Sequence, residues 1–139
     1  MSIPEQPLVS ALIALQFVAF GWRINREIQV GDQARKVWLP LPDFINLLSL
    51  LCVVAFCVIS PLSWGSTKYS HTALSMGYAL IASHPISEAA HYRLFSKRGR
   101  SVYDDAGRDY PWITDQEAVT VLVSVLVTAI VGIGTLRST

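Results

Sequence analysis

All three histidines of this 139-residue chain, His71, His84 and His91, fall in one stretch, residues 69–95, and Glu88 stands between the last two. Imidazole is the side chain whose charge changes in the neutral range. A carboxyl group moved into a low-dielectric interior resists ionisation unless a partner holds it. On a helix His84, Glu88 and His91 are at i, i+4 and i+7, so they share one face. At about 1.5 Å per residue, an axis from Tyr69 to Phe95 puts His84 near its middle and His91 near its end. Pro85 interrupts the hydrogen-bond ladder where this polar face begins and predicts a kink there.

Three chemistries fit these residue types. The first is a ladder of titratable groups, His84, Glu88 and His91 with His71 further along, that moves or senses protons or small ions. The second is a metal held by His84, Glu88 and His91. Glu88-x-x-His91 has the form used in carboxylate-bridged di-iron bundles. Those sites need a second such motif and further carboxylates, which no other segment supplies, so the metal reading calls for a second copy or a single ion. The third is haem, which only a second subunit would allow, because one segment holds every histidine. Opposed to all three is a structural reading. Glu88 pairs with Arg93 or a neighbouring histidine, and the face is a buried polar contact; alternatively the segment ends near Ala82 and Pro85 opens an interfacial helix.

The elements that position these groups are apolar. The sequence is 52% hydrophobic and 15% charged, with a formal charge of +1; soluble domains carry about 25% charged residues. That balance excludes a disordered chain, a collagen-like chain, a disulfide-stapled module and an electrostatic nucleic-acid binder. Spanning a bilayer takes about 20 apolar residues in a helix. Leu8–Trp22, Leu47–Ile59 within 42–64, and Ala118–Leu136 supply three such runs, and 69–95 is a more polar fourth. The first run lacks the basic flank of a secretory signal; its arginines follow it. Nine of the eleven Lys and Arg residues fall between segments one and two or three and four; Lys68 and Arg137 are the exceptions. Under the positive-inside rule those two connections are cytoplasmic. Trp22, Trp38, Trp64 and Trp112 lie at segment margins, where indole favours the headgroup level.

Local signals mark boundaries. Gly31–Asp32 reads as a turn, and Pro42 with Asp43 opens the second helix, Asp43 complementing its dipole. Thr114 and Glu117 form a capping box at the start of the fourth. Small residues recur every fourth position as Thr120, Ser124, Thr128 and Gly132 in segment four, and as Ser75, Ala79, Ser83 and Ser87 in segment three. Such stripes let helices approach closely in lipid, or line a hydroxyl-walled pore in an oligomer. Arg98, Arg100 and Arg108 offer a lipid-headgroup or partner contact. Cys52 and Cys57 diverge on a helix and read as small core residues. No phosphate-cradling glycine loop, nucleophile elbow or nucleic-acid motif is present.

The expectation is an all-α integral membrane four-helix bundle with short loops. Its spans lie at about 7–24, 42–63, 69–95 and 116–136, with cytoplasmic connections 25–41 and 96–115 and both termini outside, as in a bacterial inner membrane. Its functional expectation is a homo-oligomeric subunit that conducts or senses protons or small ions through segment three. The alternatives are a non-catalytic membrane anchor of a larger complex, and a metal- or haem-binding redox subunit. No nucleic-acid partner is expected, and no cofactor is required.

Overall fold

The computed structural model describes residues 6–34, 39–65, 69–92, 94–95 and 113–138. The described residues form helices and short connections, with no strand among them: α1 (Gln6–Ala34), α2 (Leu41–Val54), a π-helical turn (Ala55–Ile59), α3 (Ser60–Trp64), α4 (Ser70–His91) and α5 (Asp115–Ser138). Three stretches are long and apolar enough to cross a membrane: Gln6–Arg26, Leu41–Trp64 and Asp115–Ser138. α4 has 22 residues but is not one of them, because His, Ser, Thr and Glu side chains dilute its apolar ones.

The boundaries follow from local chemistry. Pro42 lies in the first turn of α2, where a missing N–H costs nothing. Pro61 cannot donate to the preceding turn, and just before it the ladder widens, Ser60 N–H bonding Ala55 O across the π turn. Gly65, at φ 64°, adopts the left-handed conformation that ends α3 and donates to Pro61 O at 3.1 Å. Thr114 Oγ1 accepts from Glu117 N–H at 3.1 Å and Thr114 N–H donates to Glu117 Oε2 at 3.2 Å, so the capping box opens α5.

Two boundary expectations are corrected. α1 runs on to Ala34, so Gly31–Asp32 is helical and not a turn; one glycine without a proline weakens a helix but does not stop it. α4 passes through Pro85 without a break. It does not end near Ala82, since one proline removes one ladder bond and packing on both sides holds the rest.

α4 makes its broadest contact with α5, then with α2 and α1. The pairing of ends gives an alternating up-and-down arrangement. Val9 and Leu12 of α1, Val53 and Cys57 near the end of the second stretch, and Ala73 and Leu74 of α4 form one apolar cluster. At the opposite end gather Arg23, Asp43, Glu88, His91 and Glu117. Close approach at the apolar end depends on Gly77, where an added Cβ would lie 2.6 Å from Leu12 Cδ2 and 2.9 Å from Val53 Cγ2.

The polarity of this bundle is inverted relative to a water-soluble one. Leu15, Phe17, Val18, Trp22, Leu51, Leu62, Leu122 and Ile130 face outward, while Gln16, Arg23, Asp43, Asn46, His84, Glu88 and Glu117 are buried. Soluble domains rarely expose large contiguous apolar surface. Lipid reverses that preference and drives ionisable groups into the interior, so the pattern fits a membrane location.

Candidate functional site

The site is built where four helices bring their polar ends together. Arg23 comes from the later half of α1, Asp43 from the first turn of α2, and His84, Glu88 and Tyr92 from the end of α4. Arg23 Nε donates to Asp43 Oδ2 at 3.0 Å and stands 2.9 Å from Glu88 Oε2. Its Nη1 donates to the Tyr92 hydroxyl. His84 Nε2 donates to Asp43 Oδ1 at 3.0 Å and lies 3.8 Å from Glu88 Oε1. Arg23 is 1% exposed and Asp43 is fully enclosed. One guanidinium is therefore shared by two carboxylates, with an imidazole bonded to one and adjacent to the other.

Charge balance defines what the cluster can do. Burying an uncompensated charge is costly. Among the described residues Arg23, Asp43 and Glu88, counted as ionised, sum to one negative charge, which one further positive charge balances. His84, bonded to Asp43 and adjacent to Glu88, is the group placed to carry it.

A second cluster sits beside the first. Glu117 is fully enclosed and accepts from three directions: Thr114 N–H, Leu41 N–H at 3.1 Å and His91 Nδ1 at 2.9 Å. One carboxylate thus caps its own helix, satisfies an orphan N–H at the start of α2 and fixes His91. Edge-on contact between the His91 and Tyr92 rings, 5.2 Å between centroids, links this cluster to the Arg23 group.

The expected site residues divide accordingly. His84 and Glu88 come together, but His91 turns to Glu117 instead of joining them. His84, Glu88 and His91 therefore do not form one ligand set. His71 is exposed near the start of α4, thirteen residues and about 20 Å from His84 along the axis, away from both clusters. Asp43, His84 and Glu88 do bring donor atoms within 4.8 Å of one another, yet the Arg23 guanidinium already stands against both carboxylates as their cation. That arrangement suits an ion-pair cluster and not an ion cage.

Arg23 and Asp43 are members of the candidate site that the histidine-centred reading does not include. In sequence Asp43 reads as a helix-dipole residue. Glu88 stands against Arg23; Arg93, its partner in the expectation from sequence, lies outside the described residues. So do Arg98, Arg100 and Arg108. The usable signal was level: Arg23 and Asp43 flank one connection between antiparallel helices, so they must meet at the same height. The bond to Asp43 sets His84 level with the first turn of α2.

The small-residue stripes of α4 and α5 face each other in part. Ser87 Oγ and Ser124 Oγ are 3.4 Å apart, Thr128 and Gly132 are buried, and Gly132 packs against Met76. Ser75, Ala79 and Ser83 are half-buried. Ser83, Thr120 and Ser124 donate to carbonyls of their own helices, as hydroxyls of a packing seam do. The polar face of α4 is covered by α1, α2 and α5 of the same chain, so hiding it from lipid requires no second copy. Cys57 is buried, its thiol donating to Ser70 O at 3.3 Å, and Cys52 is exposed; neither is in a disulfide.

Two hollows adjoin the bundle. One of about 460 Å³ lies between α2 and α4 toward the apolar end, lined by Leu48, Phe56, Tyr69 and Met76 among others. The other, about 20 Å³, touches the ionic cluster at His84. Comparison with family models, curated protein sequences and solved structures finds no match to this chain.

Proposed function

We propose that this chain is a four-pass integral membrane protein whose Arg23–Asp43–His84–Glu88 cluster reversibly binds a proton, making it a proton-sensing subunit. α4 is its fourth span, enclosed by the three more apolar ones. Both termini face outside, and the ionic end faces the cytoplasm, with Arg26 and the other basic residues of the two flanking connections. The observation that carries the reading is the grouping, among the described residues, of two buried carboxylates around one guanidinium, with an imidazole bonded to one of them.

Sensing is favoured over conduction by the other half of the bundle. Beyond Gln16 and Ser49, which bond each other at 3.0 Å, the interior is closed by Val9, Leu12, Val53, Cys57, Ala73 and Leu74. A proton entering from the ionic end meets packed aliphatic groups before it reaches the far side of a single chain. Protonation of His84 neutralises the cluster and changes what α1, α2 and α4 gain by staying together. That change is the kind of local electrostatic event that biases helix packing.

The test is a proton count. The chain in lipid nanodiscs is taken through a small acid step in weak buffer with a pH-indicating dye. With His71→Gln and His91→Gln as the background, about one proton per chain is expected to be taken up, and this uptake is expected to be lost when His84→Gln is added. Equal uptake with and without His84→Gln in that background overturns the proposal.

A further inference from the structure

The small hollow beside His84 is bounded by Pro42, Ile45 and Asn46 of α2, by Leu80, Ser83, His84 and Ser87 of α4, and by Val121, Ser124 and Val125 of α5. Its volume of about 20 Å³ exceeds the roughly 10–15 Å³ that one water needs. A buried water also needs two to four polar partners, and they are present. Asn46 is 3% exposed, and its Oδ1 has no hydrogen-bond partner, while its Nδ2 donates to Gln16 O at 3.4 Å. An amide oxygen buried without a donor is costly, and it lies on a hollow that accommodates a donor. Ser124 commits its proton to Thr120 O at 2.8 Å, which leaves Ser87 as the donor between the two serines and keeps lone pairs of the Ser87 oxygen available.

The ring of His84 completes the set. Its Nε2–H is committed to Asp43, so in the neutral ring Nδ1 carries the lone pair, and a proton taken up by His84 is received there. The groups facing His84 from each packed helix are Arg23 of α1 beyond the carboxylates, Asp43 of α2, and Glu88 of α4 itself. α5 contributes Ser124 to the same hollow and, among the described residues, no charged group there; Glu117 is turned to His91.

We infer that the hollow holds a single water which donates to Asn46 Oδ1 and to His84 Nδ1, and that this water is the immediate proton donor to His84. In the transfer the water gives one proton to Nδ1 while its oxygen accepts another from a hydronium ion of the bulk solvent, so the water is restored, no hydroxide is left and the charge gained by His84 is the proton delivered. Arg23 and Asp43 fix the ring from one side, and Asn46 holds the water that supplies it from the other, in a hollow that Ser87 helps to wall. This rests on the proton-binding role proposed above, and it adds the route.

Two measurements on the full chain in lipid test it. Nitrogen-15 NMR of histidine-labelled wild type is expected to show neutral His84 with its proton on Nε2 and a close water proton at Nδ1. Ser87→Val, which fills the hollow without touching Arg23, Asp43 or Glu88, is expected to slow proton exchange at His84 by about a hundredfold, the low end of what a positioned proton relay supplies. A neutral ring protonated on Nδ1, or no nearby water proton in the wild type, overturns the inference, and neither result depends on a variant that folds. Unchanged exchange in folded Ser87→Val also overturns it. If His84→Gln abolishes proton uptake while the water signal is missing, the route fails and proton binding stands. A water signal at Nδ1 with no proton uptake in the wild type removes the proton-binding role, and with it the water's part as donor.

Discussion

Arg23→Met is the most informative single change to the ionic cluster. The guanidinium is 1% exposed, 3.0 Å from Asp43 and 2.9 Å from Glu88. Methionine keeps much of the length and apolar stem but leaves two buried carboxylates facing one imidazole. Protonated His84 compensates only one of them. Removing one member of a buried ion pair costs about 3–5 kcal/mol because the survivor is left without a counter-charge. Asp43→Asn, by contrast, leaves Arg23 and Glu88 as a balanced pair and loses two hydrogen bonds, for about 1–3 kcal/mol. In the double variant Glu88 and protonated His84 balance each other. It is therefore expected to be more stable than Arg23→Met alone, with a coupling of about 1–3 kcal/mol. Reversible unfolding in mixed detergent micelles, with the four proteins compared at one pH, measures all the terms of the cycle. The reasoning is refuted if Arg23→Met unfolds within about 0.5 kcal/mol of the wild type, the range of ordinary surface changes. It is equally refuted if the double variant loses as much as the two single changes summed.

Other expectations separate parts of the fold. Gly77→Ala drives a methyl against the buried tips of Leu12 and Val53 and is expected to cost about 1–3 kcal/mol. Gly132→Ala meets only the flexible side chain of Met76 and is expected to cost less than about 1.5 kcal/mol in the same unfolding assay. Glu117→Gln keeps the size of the side chain but weakens three accepted hydrogen bonds, so a loss of about 1.5–3 kcal/mol is expected; a loss no larger than that of exposed Asp115→Asn would contradict its bridging role. A lipid-soluble maleimide is expected to label Cys52 and spare Cys57 in folded protein, which mass spectrometry of the peptides reads directly.

Much of the architecture was legible because lipid imposes a simple rule on sequence. Runs such as Leu47–Ile59 and Ala118–Leu136 carry their helical state in their composition, and Thr114 with Glu117 marked the start of α5 to the residue. The site was legible only along one helix. Spacing on α4 placed His84, Glu88 and His91 on one face, but a face is wider than a site. Which of those side chains met each other depended on neighbours more than 20 residues away in sequence. His91 is drawn to Glu117 because that carboxylate already sits at a helix start, and His84 is drawn to Asp43 at another. Asp43 read as a helix-dipole residue because its local role was sufficient to explain it. Its bond to Arg23 is a tertiary fact, visible from sequence only if antiparallel segments are aligned at their connecting loop and their charges are compared by height. α1 outran its expected end for a related reason: an apolar run marks where a membrane could lie, whereas a helix stops only where a cap or a breaker stops it.

The central claim is that protonation in this molecule takes place on His84 within a buried cluster of Arg23, Asp43 and Glu88. Infrared difference spectroscopy of the chain in lipid, between about pH 5 and 8 where imidazole changes charge, tests it most directly. In a chain whose other two histidines are replaced, His71→Gln with His91→Gln, an imidazole difference band is expected that disappears when His84→Gln is added, with a concurrent perturbation of carboxylate bands that shrinks in Asp43→Asn. A band that survives the addition of His84→Gln, or no imidazole component before it is added, would contradict the account.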